Sequence, residues 1–183
     1  MRLLLASTAL AALAAFPAAA AETVISTAVT APVKTSTTGN DLRISSTGSV
    51  KVTSGAAVTI DSNNSTKNEG TIAITGANGA TGILANPNVT ASITNTGTIT
   101  IDENYTPTDA DNDGDLDGPF AQGTGRYGIH VLGGGTFNGG VSNTGTIAVE
   151  GNQSAGIAID SVLNGSLSDT GKITVIGDDS VGI

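Results

Sequence analysis

The chain has 183 residues, with 25 glycines, no cysteine, no tryptophan and only 3% aromatic residues. Because aromatic side chains supply much of the buried area of a compact core, this composition disfavours an ordinary globular enzyme. The lack of thiols excludes disulfides, cysteine-based zinc sites and a cysteine nucleophile. A formal net charge of -9 disfavours nucleic acid as a partner, since its phosphates would be repelled.

Residues 1–21 have the pattern of a cleavable signal peptide. Arg2 makes the start positive, residues 3–16 are an apolar stretch rich in Leu and Ala, and residues 19–21 are the small alanines that a signal peptidase requires. The apolar stretch is short for a transmembrane helix, and polar sequence follows it directly. We therefore expect cleavage before Glu22 and export of the mature chain.

Downstream of an irregular segment, the sequence repeats itself. We interpret residues 22–47 as an N-terminal cap or lead-in and residues 48–183 as repeats of about 26 residues. The aligned segments are NEGTIAITG from Asn68, NTGTITIDE from Asn95, NTGTIAVEG from Asn143 and DTGKITVIG from Asp169. One interval is longer than the others and carries an insertion at about residues 102–124, which predicts a loop outside the repeating scaffold.

Each repeat reads as three short strands. In one of them, Ile99 and Ile101 alternate with Thr98 and Thr100, a period of two that is typical of a pleated strand with β-branched residues. Three short strands cannot enclose a core alone, so neighbouring units must stack. The predicted fold is all-β, a parallel β-helix (β-solenoid) in which equivalent strands stack at roughly 4.8 Å.

Two recurrent positions predict the corners of each coil. The first predicts a side-chain ladder in which an amide hydrogen-bonds the backbone of the next coil, and its members are Asn68, Asn95, Asn143 and Asp169. The second is glycine, which we expect to supply turn conformations. By register, Gly182 and Ile183 begin a strand, so we expect the chain to be the N-terminal part of a longer polypeptide.

The insertion contains a candidate calcium site. Its ligands would be the alternating carboxylates Asp109, Asp111, Asp113, Asp115 and Asp117, with Gly114 at the sixth position of a calcium-type loop. The twelfth position, where an EF-hand has a bidentate glutamate, is Phe120, which excludes an EF-hand. No cofactor is certain; calcium binding and a solvated acidic loop are the two interpretations.

Two further candidates concern catalysis. Asp102 and Glu150 occupy the same place in consecutive coils, and stacking would put them on the order of 5 Å apart, near the spacing of a retaining glycosidase pair. Both are expected at outward strand ends, with no aromatic residue nearby to stack on sugar. His130 is the only histidine, and alternation predicts that it is exposed to solvent. We therefore expect no catalytic residue and no enzyme activity.

With its export signal and NTGTI-type repeats, the chain resembles the passenger region of a bacterial autotransporter of the type V secretion class over about residues 22–183. The resemblance implies a β-helical passenger at the outer membrane and cell surface, or secreted. It also implies export machinery and a C-terminal outer-membrane barrel as partners, although this chain carries no barrel pattern. The expected function is structural and adhesive, with a host or neighbouring cell surface or matrix polysaccharide as the partner. The alternatives are a β-helical polysaccharide-degrading enzyme and a calcium-dependent surface binding module.

Overall fold

A computed structural model describes residues 21–183, which consist almost entirely of short strands. The first three coils contain β1 (Glu22–Ile25), β2 (Ala28–Val29), β3 (Val33–Lys34), α1 (Thr35–Thr38), β4 (Asp41–Ile44), β5 (Ser49–Val52), β6 (Ala56–Ile60), β7 (Thr66–Asn68), β8 (Thr71–Thr75) and β9 (Thr81–Ala85). The remaining strands are β10 (Ile93–Asn95), β11 (Thr98–Asp102), β12 (Tyr127–Val131), β13 (Thr136–Asn138), β14 (Val141–Asn143), β15 (Thr146–Glu150), β16 (Ala155–Ile159), β17 (Val162–Asn164), β18 (Leu167–Asp169) and β19 (Lys172–Ile176).

The strands stack as a parallel β-helix, which confirms the predicted fold class. One sheet has the order β1-β4-β7-β10-β14-β18, a second β2-β5-β8-β11-β15-β19 and a third β3-β6-β9-β12-β16, while β13 and β17 form a short fourth sheet. Every strand pair is parallel, and the register matches the sequence repeats: Ile99 lies opposite Ile72 in the preceding coil and Ile147 in the following one. Each coil therefore presents its apolar residues to the same interior.

The core is a narrow column of aliphatic side chains. Ile72, Ile99 and Ile147 are completely buried in one stack, and Ile83 and Ile129 face them from the third sheet. Phe137 is the one aromatic residue among the buried hydrophobic side chains of residues 21–183. The low aromatic content of the sequence thus reflects a narrow core that is filled almost entirely by stacked aliphatic side chains.

The predicted asparagine ladder is confirmed, with a stronger pattern of bonds than the sequence indicated. The Nδ2 groups of Asn68, Asn95 and Asn143 each donate to the side-chain Oδ1 of the next member, at 2.7 Å in all three steps, and the last acceptor is Asp169. The three asparagines are completely buried. Each amide is therefore paired along the axis, so that burial leaves no donor in this row unsatisfied.

The repeat glycines have a different role from the one predicted. Gly97 and Gly145 do not lie in the left-handed region of backbone conformation, which other glycines of the chain do occupy. Instead, a Cβ at Gly97 would stand 2.3 Å from the carbonyl oxygen of Gly70, and one at Gly145 would stand 2.1 Å from that of Gly97. These glycines are required because successive coils approach one another too closely for any side chain.

Regular stacking begins earlier than the predicted boundary at residue 47. Within the expected lead-in, residues 22–47, β1 pairs with β4, β2 with β5 and β3 with β6, so this segment already contains a coil. The short α1 follows β3, and Asp61 from the next coil accepts hydrogen bonds from the backbone N–H and hydroxyl of Ser36. These bonds to a charged acceptor hold the pKa of Asp61 below its usual value, although burial alone would raise it.

The predicted signal peptide, residues 1–21, lies outside the described residues except for Ala21. From Ala21 to Ile183, no helix has the length and apolar character needed to cross a membrane.

Candidate functional site

The insertion leaves the solenoid between β11 and β12, two strands that face each other across the same coil. Residues 103–126 form this connection and contain no strand or helix beyond an isolated bridge at Thr124. It is the largest departure from the repeat among residues 21–183. A solenoid commonly carries its specialised residues on such a loop.

The middle of the insertion brings three of the five predicted calcium ligands together. Carboxylate oxygens of Asp109, Asp111 and Asp117 all lie within 4.8 Å of one another, whereas Asp113 and Asp115 are not members of this group. The loop is held by hydrogen bonds within itself. The N–H of Asp113 donates to the side-chain Oδ1 of Asp109 at 3.2 Å, and the N–H of Asp117 donates to the backbone carbonyl of Thr108 at 3.1 Å. These carboxylate oxygens suit a hard cation.

The base of the insertion is held by a buried ion pair, Glu103 and Arg126. The two side chains are 6% and 2% exposed, and Nη1 of Arg126 lies 2.8 Å from Oε2 of Glu103. The carboxylate also accepts the backbone N–H groups of Gln122 and Gly123, both at 2.6 Å. Although burial raises the pKa of Glu103, these two bonds and Arg126 together hold it below its usual value, so Glu103 is ionised at neutral pH.

Arg126 forms hydrogen bonds with three separate parts of the chain at the base of the insertion. Its Nε donates to the carbonyl of Ala77 at 2.8 Å, and its Nη1 donates to the carbonyl of Glu150 at 2.6 Å as well as to Glu103. Gly123 makes room for the guanidinium, since a Cβ there would stand 2.1 Å from Nη2. Arg126 therefore joins the insertion to the preceding and following coils.

A polar cavity of about 400 Å³ opens beside this ion pair; we call it the Arg126 cavity. Its lining residues are Gly76, Asn78, Glu103, Asn104, Tyr105, Gln122, Gly123 and Arg126. The lining includes one aromatic residue, Tyr105, but it does not include Asp102 or Glu150, the pair beside which the sequence predicts no aromatic residue. The volume falls within the range of about 300–1,000 Å³ that is usual for small-molecule sites.

The predicted carboxylate pair, Asp102 and Glu150, comes together at the ends of β11 and β15. Ile101 lies opposite Val149 in the sheet, which makes Asp102 and Glu150 neighbours at the next position. Burial raises the pKa of Glu150 to about 7, helped by a hydrogen bond to Asp102 and by the charges of Asp102 and Glu103. Glu150 is therefore protonated in a substantial fraction of the molecules at neutral pH.

A second, smaller cavity lies over this pair. Its volume is about 140 Å³, and its lining includes Thr100, Ala148, Thr174 and Ile176 beside the two carboxyls. This volume is less than half of the lower limit for typical ligand sites, about 300 Å³. The cavity thus offers room for solvent beside the carboxyls and too little room for a sugar ring.

The expectation that His130 is exposed was wrong. The residue is 9% exposed, its Nε2 lies 2.8 Å from Oδ2 of Asp160, and its ring stacks on Tyr127 with centroids 4.2 Å apart. Alternation along β12 predicted only the face of the strand. The alternation did not reveal that the ring would be covered by two residues: Asp160, which follows β16, and Tyr127, which lies in β12 like His130 itself.

Sequence reasoning missed Glu103 and Arg126 as functional candidates. The two lie 23 residues apart, and Arg126 contacts Ala77 across 49 residues, so no local motif joins them. The available signal was the position of Arg126 directly before Tyr127, the first residue of β12, at the place where the repeat resumes. Arg126 is the one basic residue of residues 103–126, and this contrast with the acidic insertion is the sequence signal for the pair.

Comparison with known proteins gives one family. A family model described as "BigA third pectate lyase-like domain" matches residues 14–183. No curated protein matches the chain, and no solved structure does.

Proposed function

The chain belongs to the family of the BigA third pectate lyase-like domain, and from this premise we propose that it is an exported, non-enzymatic passenger of the autotransporter type. In this role a rigid β-helix at the cell surface presents its insertion for adhesion or cell-to-cell contact. The observation that carries the proposal is the division of the molecule into a repetitive scaffold and one polar loop. The interior is filled by aliphatic stacks and by the paired Asn ladder, which are devoted to stability.

Further support comes from the export pattern in residues 1–21 and from the lack of cysteine, because a chain without thiols crosses membranes and folds outside the cell without waiting for oxidation. The net charge of -9 also suits an exposed surface that must remain soluble. The partner we propose is a host or neighbouring cell surface, or matrix polysaccharide. Export machinery and an outer-membrane barrel domain would deliver the passenger.

The test uses bacteria that express the gene in its natural reading frame. Intact cells are treated with an external protease and probed with an antibody against the β-helix, and their attachment to host cells and to polysaccharide-coated surfaces is counted. A variant with residues 105–120 replaced by a short Gly-Ser linker should be displayed normally but should attach at least about tenfold less. Protection of the wild-type chain inside the cells would contradict the proposal.

A second candidate function, cleavage of polysaccharide, is favoured by the carboxyl pair. Asp102 and Glu150 differ in environment, and a glutamic acid with a pKa of about 7 has the property of a general acid at neutral pH. The cavity of about 140 Å³ over the pair argues against it, because the reacting sugar must reach both groups. We therefore prefer the non-enzymatic role.

The same pair of residues separates these two functions. The variants Asp102→Asn and Glu150→Gln would remove acid and base chemistry while keeping the shape of both side chains. An enzyme should then lose its release of reducing ends from polysaccharide, whereas the adhesive passenger should attach as before. Reducing-sugar release by the purified wild-type protein that disappears in both variants would favour the enzyme.

A third candidate, calcium-dependent binding, is favoured by the meeting of Asp109, Asp111 and Asp117. Carboxylate oxygens are preferred calcium ligands, and the lack of a glutamate at the position of Phe120 indicates millimolar affinity, as in extracellular modules. Calorimetric titration of the purified chain with calcium should give heat that is lost in Asp111→Asn but kept in the control Asp178→Asn. A titration without heat would remove this candidate.

A further inference from the structure

We infer that the Arg126 cavity binds a neutral sugar unit of a surface or matrix saccharide. This inference rests on the proposed function, because it identifies the chemistry through which the insertion would attach to a partner. Three features of the cavity support it: an arginine donor without a protein acceptor, the local charge, and the size and composition of the lining.

The unused donor is Nη2 of Arg126. The side chain is 2% exposed, and its Nε and Nη1 together donate to Ala77, Glu103 and Glu150. Among residues 21–183, Nη2 has no acceptor within hydrogen-bond distance, although it carries two N–H groups. Because Arg126 is part of the cavity lining, an acceptor in the cavity would complete its hydrogen bonds. Nη2 is not fully enclosed, since the buried side-chain polar atoms without a partner among residues 21–183 are Oγ1 of Thr66 and Oγ of Ser161. A ligand oxygen in the cavity would therefore accept from Nη2 in place of solvent.

The charge around the cavity favours a neutral ligand. Glu103 already compensates the guanidinium at 2.8 Å, and Asp102 precedes it in the chain. Glu150 approaches the same guanidinium with its backbone carbonyl, and the five aspartates of the acidic loop add further negative charge nearby in sequence. A carboxylate or phosphate would find a neutralised arginine within a negative field, which repels it. A hydroxyl group has an oxygen that accepts from Nη2 and carries no charge.

The lining fits a molecule with many hydroxyl groups and one apolar face. The side-chain amides of Asn78, Asn104 and Gln122 provide both donors and acceptors, and each hydroxyl of a sugar can use either. Tyr105 adds an aromatic surface with a polar tip, a combination suited to a ligand that is apolar on one side and wet on the other. The cavity of about 400 Å³ is large enough for a sugar unit with its linkage.

The test measures saccharide binding to the purified chain by calorimetry and by saturation-transfer NMR. The neutral probes are cellobiose, lactose and N,N′-diacetylchitobiose, and the acidic probe is digalacturonate. We expect at least one neutral probe to bind with a Kd of about 1 mM and the acidic probe to bind at least about tenfold more weakly. Chelator in every buffer prevents calcium bound by the acidic loop from contributing.

Variants locate the binding in the cavity. Tyr105→Ala removes the aromatic surface and Gln122→Ala removes one amide, and each should weaken binding of the neutral probe at least about tenfold. Phe120→Ala is the matched control, because Phe120 is an aromatic residue of the same insertion that is 42% exposed and is not part of the lining. Circular dichroism verifies that each variant keeps the strand content of the wild type.

The outcomes are distinct. Lack of binding by all three neutral probes, stronger binding of digalacturonate, or equal loss in Phe120→Ala would each overturn the inference. A polymer that binds while its disaccharide unit does not would also overturn it, since the cavity accommodates single units. If intact cells display the chain and attach by means of it, but the purified protein does not bind these sugars, the inference alone fails. If sugar binding holds while the chain stays inside the cells, the proposed surface function alone fails.

Discussion

Replacing Glu150 by glutamine should stabilise the protein above neutral pH. In the folded chain, burial and the neighbouring Asp102 raise the pKa of Glu150 from an ordinary value of 4.5 to about 7. The folded state therefore holds this proton more tightly than the unfolded state does. The contribution of Glu150 to stability is fully present below pH 4.5, is lost as the pH rises from 4.5 to about 7, and stays at the lower level above that pH. Glu150→Gln keeps the size of the side chain and its backbone bond to Arg126 while removing the charge.

The magnitude follows from the pKa difference. Each pKa unit corresponds to about 1.4 kcal/mol, so the full penalty for the ionised form would be about 3 kcal/mol. Glu150 is only partly buried, and solvent screens charges at such a position, which reduces the expected effect to about 1–2 kcal/mol. We expect Glu150→Gln to raise the free energy of unfolding by that amount at pH 8 and to leave it nearly unchanged at pH 4.5.

The assay is urea denaturation followed by circular dichroism at both pH values, with chelator present throughout. Asp102→Asn should also stabilise the chain at pH 8, and the double variant should gain less than the sum of the two single variants, because they relieve the same repulsion. Glu69→Gln is the control, because the pKa of Glu69 is shifted in the opposite direction from that of Glu150. Lys67 and Arg43 lower the pKa of Glu69, so its replacement should not stabilise the chain at pH 8.

A result in which Glu150→Gln stabilises the chain equally at pH 4.5 and pH 8 would refute this reasoning, because the effect would then come from packing or solvation of the amide. Loss of stability at pH 8 would refute it as well.

The remaining predictions concern the scaffold. Asn95→Ala should lower the free energy of unfolding by about 2–4 kcal/mol, because it leaves one buried amide donor and one buried acceptor of the ladder unpaired. The control Asn104→Ala, in the exposed loop, should change the free energy of unfolding little. Equal effects of the two variants in urea denaturation would contradict the stabilising role of the ladder. Gly97→Ala should cost more than about 2 kcal/mol or prevent folding, because its Cβ would meet the Gly70 carbonyl oxygen at 2.3 Å. In the control Gly76→Ala, the new Cβ would point into open space at φ +82°, so the variant should lose only about 1 kcal/mol through backbone strain. If thermal unfolding showed a greater loss of stability for Gly76→Ala than for Gly97→Ala, close contact between coils would not explain the need for Gly97.

Much of the scaffold followed from the repeat. The alternation at Ile99 and Ile101 predicted strands, and the recurrence of Asn68 and Asn95 predicted a ladder at one corner of the coil. Both predictions succeeded for the same reason: in a solenoid, neighbours in space are equivalent positions of adjacent repeats, so aligning the sequence with itself also aligns the contacts. The role of Gly97 was misassigned because a repeat shows that glycine is needed without showing whether conformation or close approach requires it.

The candidate sites were only partly predictable, because the insertion interrupts this correspondence. The carboxyl pair lay within the repeat and was predicted from it, as Asp102 and Glu150 end equivalent strands. Arg126 joins positions that are 23, 24 and 49 residues away, and none of these separations is a period of the repeat.

Recurring residue patterns were sufficient to predict the all-β solenoid, the register of its strands and the place of the insertion. Three features became visible in the folded molecule alone: the buried pair of Arg126 and Glu103 beside a cavity, the covering of His130 by Asp160 and Tyr127, and the raised pKa of Glu150. Burial and charge at these positions are set by non-repeating neighbours, which come together only when the coils have stacked.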